Sequence, residues 1–201
     1  QAIATARRLG AVVKAYDVRA AAAEEIRSMG AHAIELDLPT LEGAGGYARE
    51  MSEERAALQR ELLAPYVAAA DGLITTAAVP GRTAPVLVTR EMVEAMSPGS
   101  VVVDLAADSG GNVEGSVAGE VVRIGRAQVW GGRNVAAQMP GPASRLYAQN
   151  VLSLVTLMTS ADPAGGLVLD LDDEIIDGAC VVHAGVVRHE PTRLLLEEGP
   201  A

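Results

Sequence analysis

The run Ser100-Val101-Val102-Val103-Asp104-Leu105 is the feature that most constrains what this chain can become. Three consecutive β-branched residues, uncharged until the carboxyl end, suit a strand buried on both faces, since a half-exposed strand alternates apolar and polar side chains. Such a strand belongs at the centre of a parallel sheet, and parallel neighbours need long crossover connections, usually helical. Elements on either side of the run supply that alternation. Gln1 to Leu9 reads as a helix already under way and stopped by Gly10, and Ala11 to Asp17 as a short strand ending in an acid. Ala20 to Met29 has helical spacing with a terminal Gly30, and Ala31 to Leu36 is the next strand. Glu53 to Ala70 is helical, Gly72 to Ala77 is a buried strand leading into the turn Val79 to Arg82, and Thr89 to Met96 is a short helix before Pro98-Gly99.

Beyond the valine run, Val121 to Ile124 and Ala127 to Trp130 pair as a hairpin across Gly125-Arg126, and Pro142 to Thr159 forms a long, mostly apolar helix. The tail, Leu167 to Leu171 and Ala179 to Arg188, contains a hairpin-like piece over Val181 to Val187 and is expected to pack elsewhere. Strand, helix and strand in alternation give a doubly wound parallel α/β sheet. With four Tyr, one Trp and no Phe, its interior must be close-packed Ala, Val, Leu and Ile. The Gly-rich, charged stretch Asp37 to Met51 is too long for an ordinary connection and is expected to be a lid.

A formal net charge of −10 opposes binding to a nucleic-acid backbone, although a nucleotide can still be held locally by backbone N–H groups. The lone Cys180 excludes an internal disulfide and a multi-cysteine zinc site, and reads as a small apolar residue. No apolar run reaches the length needed to span a bilayer, so the chain is expected to be soluble as given. It opens without Met in mid-helix and is expected to be a fragment.

In a doubly wound sheet, ligands bind at the carboxyl ends of the strands, where Asp17 lies. In a dinucleotide fold an acid there accepts hydrogen bonds from the adenosine ribose hydroxyls and repels a 2′-phosphate, selecting NAD over NADP. Taken alone, Asp17 is better read as a solvated turn aspartate before a helix. Arg19 points the other way, because a nearby arginine is how such sites accept a 2′-phosphate, but the acid occupies the strand-end position and NAD is the expected nucleotide. The glycine-rich fingerprint of such folds is not present; it would fall before Gln1 if the first strand and its turn are missing.

Several segments, taken in order, carry a family resemblance: Asp17-Val18-Arg19, Ala44 to Met51, Thr75-Thr76-Ala77, Pro80-Gly81-Arg82, Gly99 to Ala106, Gly110-Gly111-Asn112 and Ser144 to Asn150. In order and approximate spacing the chain resembles the NAD(H)-binding domain of the proton-translocating NAD(P) transhydrogenase α subunit, and the likeness continues into Asp172-Asp173-Glu174 and Val186 to His189. The resemblance implies that NAD(H) binds here and NADP(H) on a partner domain, with hydride passing between the two nicotinamides while a membrane domain moves a proton. It also implies NADP-binding and membrane-embedded partners, a homodimer, and a peripheral position on the cytoplasmic side of the bacterial inner membrane. Carried over residue by residue, Asp17, Val18 and Arg19 would hold the adenosine side, while Gly46 and Gln59 would lie along the nucleotide. Tyr47 would cover it from a mobile loop, and Ala78 would line the site through its backbone. Residues 1–141 would be the partial nucleotide domain. Residues 142–201 would be a crossing helix and tail that pack on a missing N-terminal domain.

Direct hydride transfer between cofactors needs no protein acid or base, so no catalytic residue and no metal is expected, and the fragment alone is expected to be inactive. His32, His183 and His189 are scattered, and Asp104 reads as a strand-end hydrogen-bonding group. Two alternatives stay open. One is an oxidoreductase of the alanine dehydrogenase type, which places a functional aspartate in a setting like Asp108-Ser109-Gly110-Gly111; the other is a nucleotide-binding module without turnover.

Overall fold

The computed structural model describes residues 1–38, 53–79, 82–160, 162 and 164–198. The chain divides into two compact units, Gln1–Val135 and Ala136–Ala201. The first begins with α1 (Ala2–Arg8), β1 (Lys14–Ala15), α2 (Ala20–Ser28) and β2 (His32–Ala33). It continues with α3 (Glu53–Ala68), β3 (Gly72–Thr75), α4 (Arg90–Glu94), β4 (Val101–Asp104), β5 (Val121–Ile124) and β6 (Ala127–Gly131), and ends in α5 (Val135–Gln138) at the division.

The valine run is the middle of the main sheet, whose order is β3-β4-β6-β5. β4 pairs in parallel with β3, placing Ile74 opposite Val103 and Thr75 opposite Asp104, and in parallel with β6 on its other side. Only the β5–β6 hairpin is antiparallel. Gly125, at φ 57°, takes the first of its two turn positions, where the twist of a tight hairpin calls for positive φ. Val102, Val129 and Val93 are fully buried, and they join Leu63 and Val67 of α3, Met92 of α4 and Ile124 in one core. That core is aliphatic, as the shortage of aromatic residues requires.

The strands expected over 11–17 and 31–36 shrink to β1 and β2, a separate parallel pair joining Lys14 to His32 and Ala15 to Ala33. Among the described residues β1 pairs only with β2, and β3 only with β4. Among the described residues no strand lies between β1 and β3, the position that strand 1 takes in a doubly wound sheet of order 3-2-1-4-5. Side chains bridge the gap. Tyr16, Ile34 and Leu36 pack against the main core, and the Lys14 ammonium sits 5.6 Å from the centre of the Tyr66 ring on α3.

At the carboxyl end of β4, the fully buried Asp104 carboxylate accepts four hydrogen bonds. The Thr75 hydroxyl (3.1 Å) and Ala106 N–H (3.1 Å) donate to Oδ1, while the N–H groups of Asn112 (3.0 Å) and Val113 (3.2 Å) donate to Oδ2. Gly111, at φ 83°, lets the loop close on this carboxylate, since a Cβ there would stand 2.9 Å from Oδ2. The strand-end hydrogen-bonding role expected of Asp104 is the one it has.

The second unit holds α6 (Pro140–Thr159), α7 (Glu174–Ala179), β7 (Val182–His183), β8 (Val186–Val187) and α8 (Glu190–Glu198). The expected hairpin forms, turning through Ala184 and Gly185, both at positive φ as a two-residue turn of this kind requires. No strand forms over Leu167 to Leu171. The unexpected α8 starts at Glu190-Pro191, where proline costs no hydrogen bond in a first helical turn. α6 buries none of its residues; Leu146 is 71% exposed and Leu152 57%.

Two outcomes are expected. Replacing Asp104 by Ala strands four donors and should lower the stability read by urea denaturation by about 3–5 kcal/mol, while Glu24→Ala on the surface changes it by less than about 0.5 kcal/mol. The open apolar face of α6 should drive concentration-dependent association of the isolated chain in sedimentation velocity; a monodisperse monomer at all concentrations would rule this out.

Candidate functional site

A cavity of about 350 Å³ lies beyond the carboxyl ends of β1 and β2. Its apolar wall comes from Val18, Ala20, Ala23, Ile34, Leu36 and Leu38, and its polar groups are Tyr16, Asp17, Arg19, Arg27, Glu35 and Arg55. The chain delivers them simply: Asp17 to Arg19 form the turn from β1 into α2, Arg19 is the residue capping α2, and residues 34–38 continue out of β2.

Four of these polar groups form two pairs within the cavity wall. Arg19 grips Asp17 three times: its backbone N–H donates to Oδ1 (2.9 Å), its Nε to the same oxygen (3.1 Å), and its Nη2 to Oδ2 (3.1 Å). Arg27 forms an ion pair with Glu35. Burial pushes the Asp17 carboxyl up, but the side-chain and backbone hydrogen bonds from Arg19, with its charge, outweigh this and hold the carboxyl below its ordinary 3.8. Burial raises the Tyr16 phenol above its ordinary value, the positive charge of Arg55 partly opposing it, so Tyr16 is an uncharged hydroxyl at neutral pH.

Of the residues singled out from sequence, the structure brings Asp17, Val18 and Arg19 together in the cavity. Gln59 is 1% exposed on the core side of α3, in line with Leu63 and Val67 and outside the cavity lining; its Oε1 finds no donor among the described residues. Ala78 is exposed in the segment after β3. Gly46 and Tyr47, with the rest of the expected lid, lie outside the described residues. Asp108 is exposed beyond β4, and its carboxylate accepts the N–H of Asn134, a residue held at φ 44°.

Two features were missed in the sequence. The Arg27–Glu35 pair joins residues on different elements, and only the periodicity of α2 and β2 taken together would have placed them at one mouth. Asn112, fully buried, uses its amide like a piece of backbone: Oδ1 accepts from Ala77 N–H (2.9 Å), and Nδ2 donates to the carbonyls of Ala77 (2.9 Å) and Pro85 (2.8 Å). It thereby fixes the segment that leads to Ala78. Among the described residues no group of His, Cys, Asp and Glu is placed to hold a metal, and no helix is long and apolar enough to cross a membrane.

A parallel α/β core with an acid-bearing cleft at its strand ends defines the doubly wound class, and the comparison with known families narrows it. The chain belongs to the family described as alanine dehydrogenase/PNT, C-terminal domain, whose model matches residues 1–190. Within that family it is 45% identical over 192 residues to an NAD(P) transhydrogenase subunit alpha chain of Rhodospirillum rubrum, covering 94% of this chain and 50% of that protein. The crystal structure of transhydrogenase from Sinorhizobium meliloti superposes with a TM-score of 0.71 at 44% identity, over 93% of this chain and 48% of that one. An L-alanine dehydrogenase structure shares the fold, with a TM-score of 0.64 at 23% identity over 96% of this chain and 48% of that one. The chain spans about half the length of the curated relatives it matches.

The depressed carboxyl of Asp17 gives a signed expectation. A folded-state value below the unfolded one contributes stability that is complete above 3.8 and lost as pH falls through the folded value. Carboxyl-carbon NMR should place the Asp17 midpoint below 3.8, and Arg19→Ala should move it upward; a native midpoint at or above 3.8 would refute the clamp.

Proposed function

We propose that this chain is the NAD(H)-binding component of a proton-translocating transhydrogenase, in which hydride passes directly between NAD(H) here and NADP(H) on a partner domain, coupled to proton movement. The observation that carries the reading is the likeness to a transhydrogenase α subunit spread over nearly the whole chain. The size of the cavity, its apolar wall and its Asp17 carboxylate support reading it as the site for the adenosine end of such a nucleotide.

In this reading the nicotinamide supplies the hydride chemistry, and the protein binds and orients. Asp17, Val18 and Arg19 hold the adenosine side. Asn112 fixes the Ala77–Ala78 backbone along which the nucleotide would run. Gln59 is assigned to the same side, its buried amide oxygen still wanting a donor. The exposed face of α6, with the tail to residue 201, packs on the remaining domain of a longer subunit. The assembled protein is a homodimer seated peripherally on the cytoplasmic face of the bacterial inner membrane, bound to NADP-binding and membrane-embedded partners.

A second reading, an alanine dehydrogenase-type oxidoreductase, draws on Asp108 beside Gly110-Gly111 at the end of the central strand. The deciding experiment measures hydride transfer from NADH to an NADP analogue, with the chain embedded in its full-length subunit and mixed with an NADP-binding domain. Alanine plus NAD without the partner serves as the parallel reaction. Partner-dependent transfer is the expected result. Alanine-dependent NADH formation would promote the second reading, and nucleotide binding with neither reaction would leave a binding module.

A further inference from the structure

We propose that Asn112 is a positioning residue for the nucleotide: its side-chain amide replaces the strand neighbour that Ala77 lacks, and so holds the backbone edge of Ala78 in place for a ligand. This rests on the reading of the chain as an NAD(H)-binding component.

The ladder between β3 and β4 has a phase. In an extended chain the N–H and C=O of one residue point to the same side, and those of the next residue to the other. The carbonyls of Asp71 and Thr75 point toward β4, accepting the N–H groups of Val101 and Leu105 (both 3.0 Å). Ala77 is next in that phase, but β4 has ended at Asp104. Asn112 supplies the missing rung from its side chain: Oδ1 accepts the Ala77 N–H and Nδ2 donates to the Ala77 carbonyl, each at 2.9 Å. Ala78 lies in the opposite phase, facing away from β4. It is exposed, and among the described residues its N–H and carbonyl have no partner.

The amide is held in a single position. The backbone N–H of Asn112 donates to Asp104 Oδ2 (3.0 Å), and its carbonyl accepts the N–H groups of Leu87 (2.9 Å) and Val88 (3.0 Å). Those backbone bonds already close the loop. The fully buried side chain acts instead on Ala77 and on the Pro85 carbonyl (2.8 Å). The Ala77 N–H requires an acceptor and the two carbonyls require donors, so one orientation of the amide satisfies the site. A carboxylate of the same shape would set oxygen against both carbonyls, and an aliphatic side chain would strand three buried backbone groups.

Fluorescence titration with NADH tests the proposal on the full-length subunit that contains this chain, as native protein, Asn112→Ala, Asn112→Ser and Val67→Ala. Val67 is buried in the same core, near the end of α3 that leads into the start of β3, and its variant supplies a loss of stability remote from Ala78 along the strand. Asn112→Ala should weaken NADH binding by about tenfold or more, with Val67→Ala staying within about twofold of native. In hydride transfer to an NADP analogue with an NADP-binding domain, the loss should appear as a raised KM for NADH. A merely structural loss lowers the amount of folded enzyme, hence the apparent kcat, and leaves KM alone. Asn112→Ser keeps a hydroxyl that can bond one of the Ala77 groups; it should fall between, and reads the effect if Asn112→Ala does not fold.

Native affinity for NADH in the folded Asn112 variants would overturn the proposal while leaving the nucleotide site standing. Equal weakening in Val67→Ala would overturn it too, because lost stability would then explain both. Failure of the native subunit to bind NADH would remove the nucleotide-binding reading itself, and this inference with it.

Discussion

A carboxylate removed entirely from water is tolerated only when hydrogen bonds replace its lost hydration, and the carboxyl end of the main sheet is built around that requirement. Asp104 gathers donors from β3, from the turn after its own strand and from the loop after Gly111. Asn112, whose backbone N–H answers Asp104, extends the same network through its side chain to Ala77 and Pro85. The loops from two adjacent parallel strands are thereby fixed to one another at the place where folds of this class bind their ligands. A shift in Asp104 would propagate through each of them, because every partner is also held elsewhere.

Much of this arrangement was legible in the sequence. The uncharged valine run read as a central parallel strand, the segments on either side of Gly125-Arg126 as a hairpin, and Asp104 at the end of its strand as a hydrogen-bonding group, and each takes that form. Less legible were properties that depend on neighbours. β1 and β2 look from sequence like strands of six or seven residues, but among the described residues they pair over two residues each. α8 was missed because its apolar residues stand beside a proline, normally a stop signal, which here occupies a first helical turn.

The site was only partly legible, and for a similar reason. Asp17, Val18 and Arg19 are consecutive, so a local reading placed them together. Arg27 and Glu35 face one another only because α2 returns the chain to a parallel strand, and no short motif encodes that meeting. Family resemblance supplied what spacing could not, naming Gln59 and Ala78; the structure puts the first in the core and the second on the surface. Charge offered no guide either, since in this acidic chain the described residues of the cavity include three arginines and two carboxylates.

The separation of the β1–β2 pair from the main sheet bears on how stability is distributed. Backbone ladders make neighbouring strands melt together, whereas side-chain contacts couple them loosely. In the described residues the two pieces communicate through α3, by Leu63 and Val67 on one side and by Tyr66 beneath Lys14 on the other. The cavity wall is carried by the smaller piece. Among the described residues its hold on the main sheet is through side chains, so a change at Tyr66 would reach the cavity wall through Lys14 without disturbing a backbone ladder.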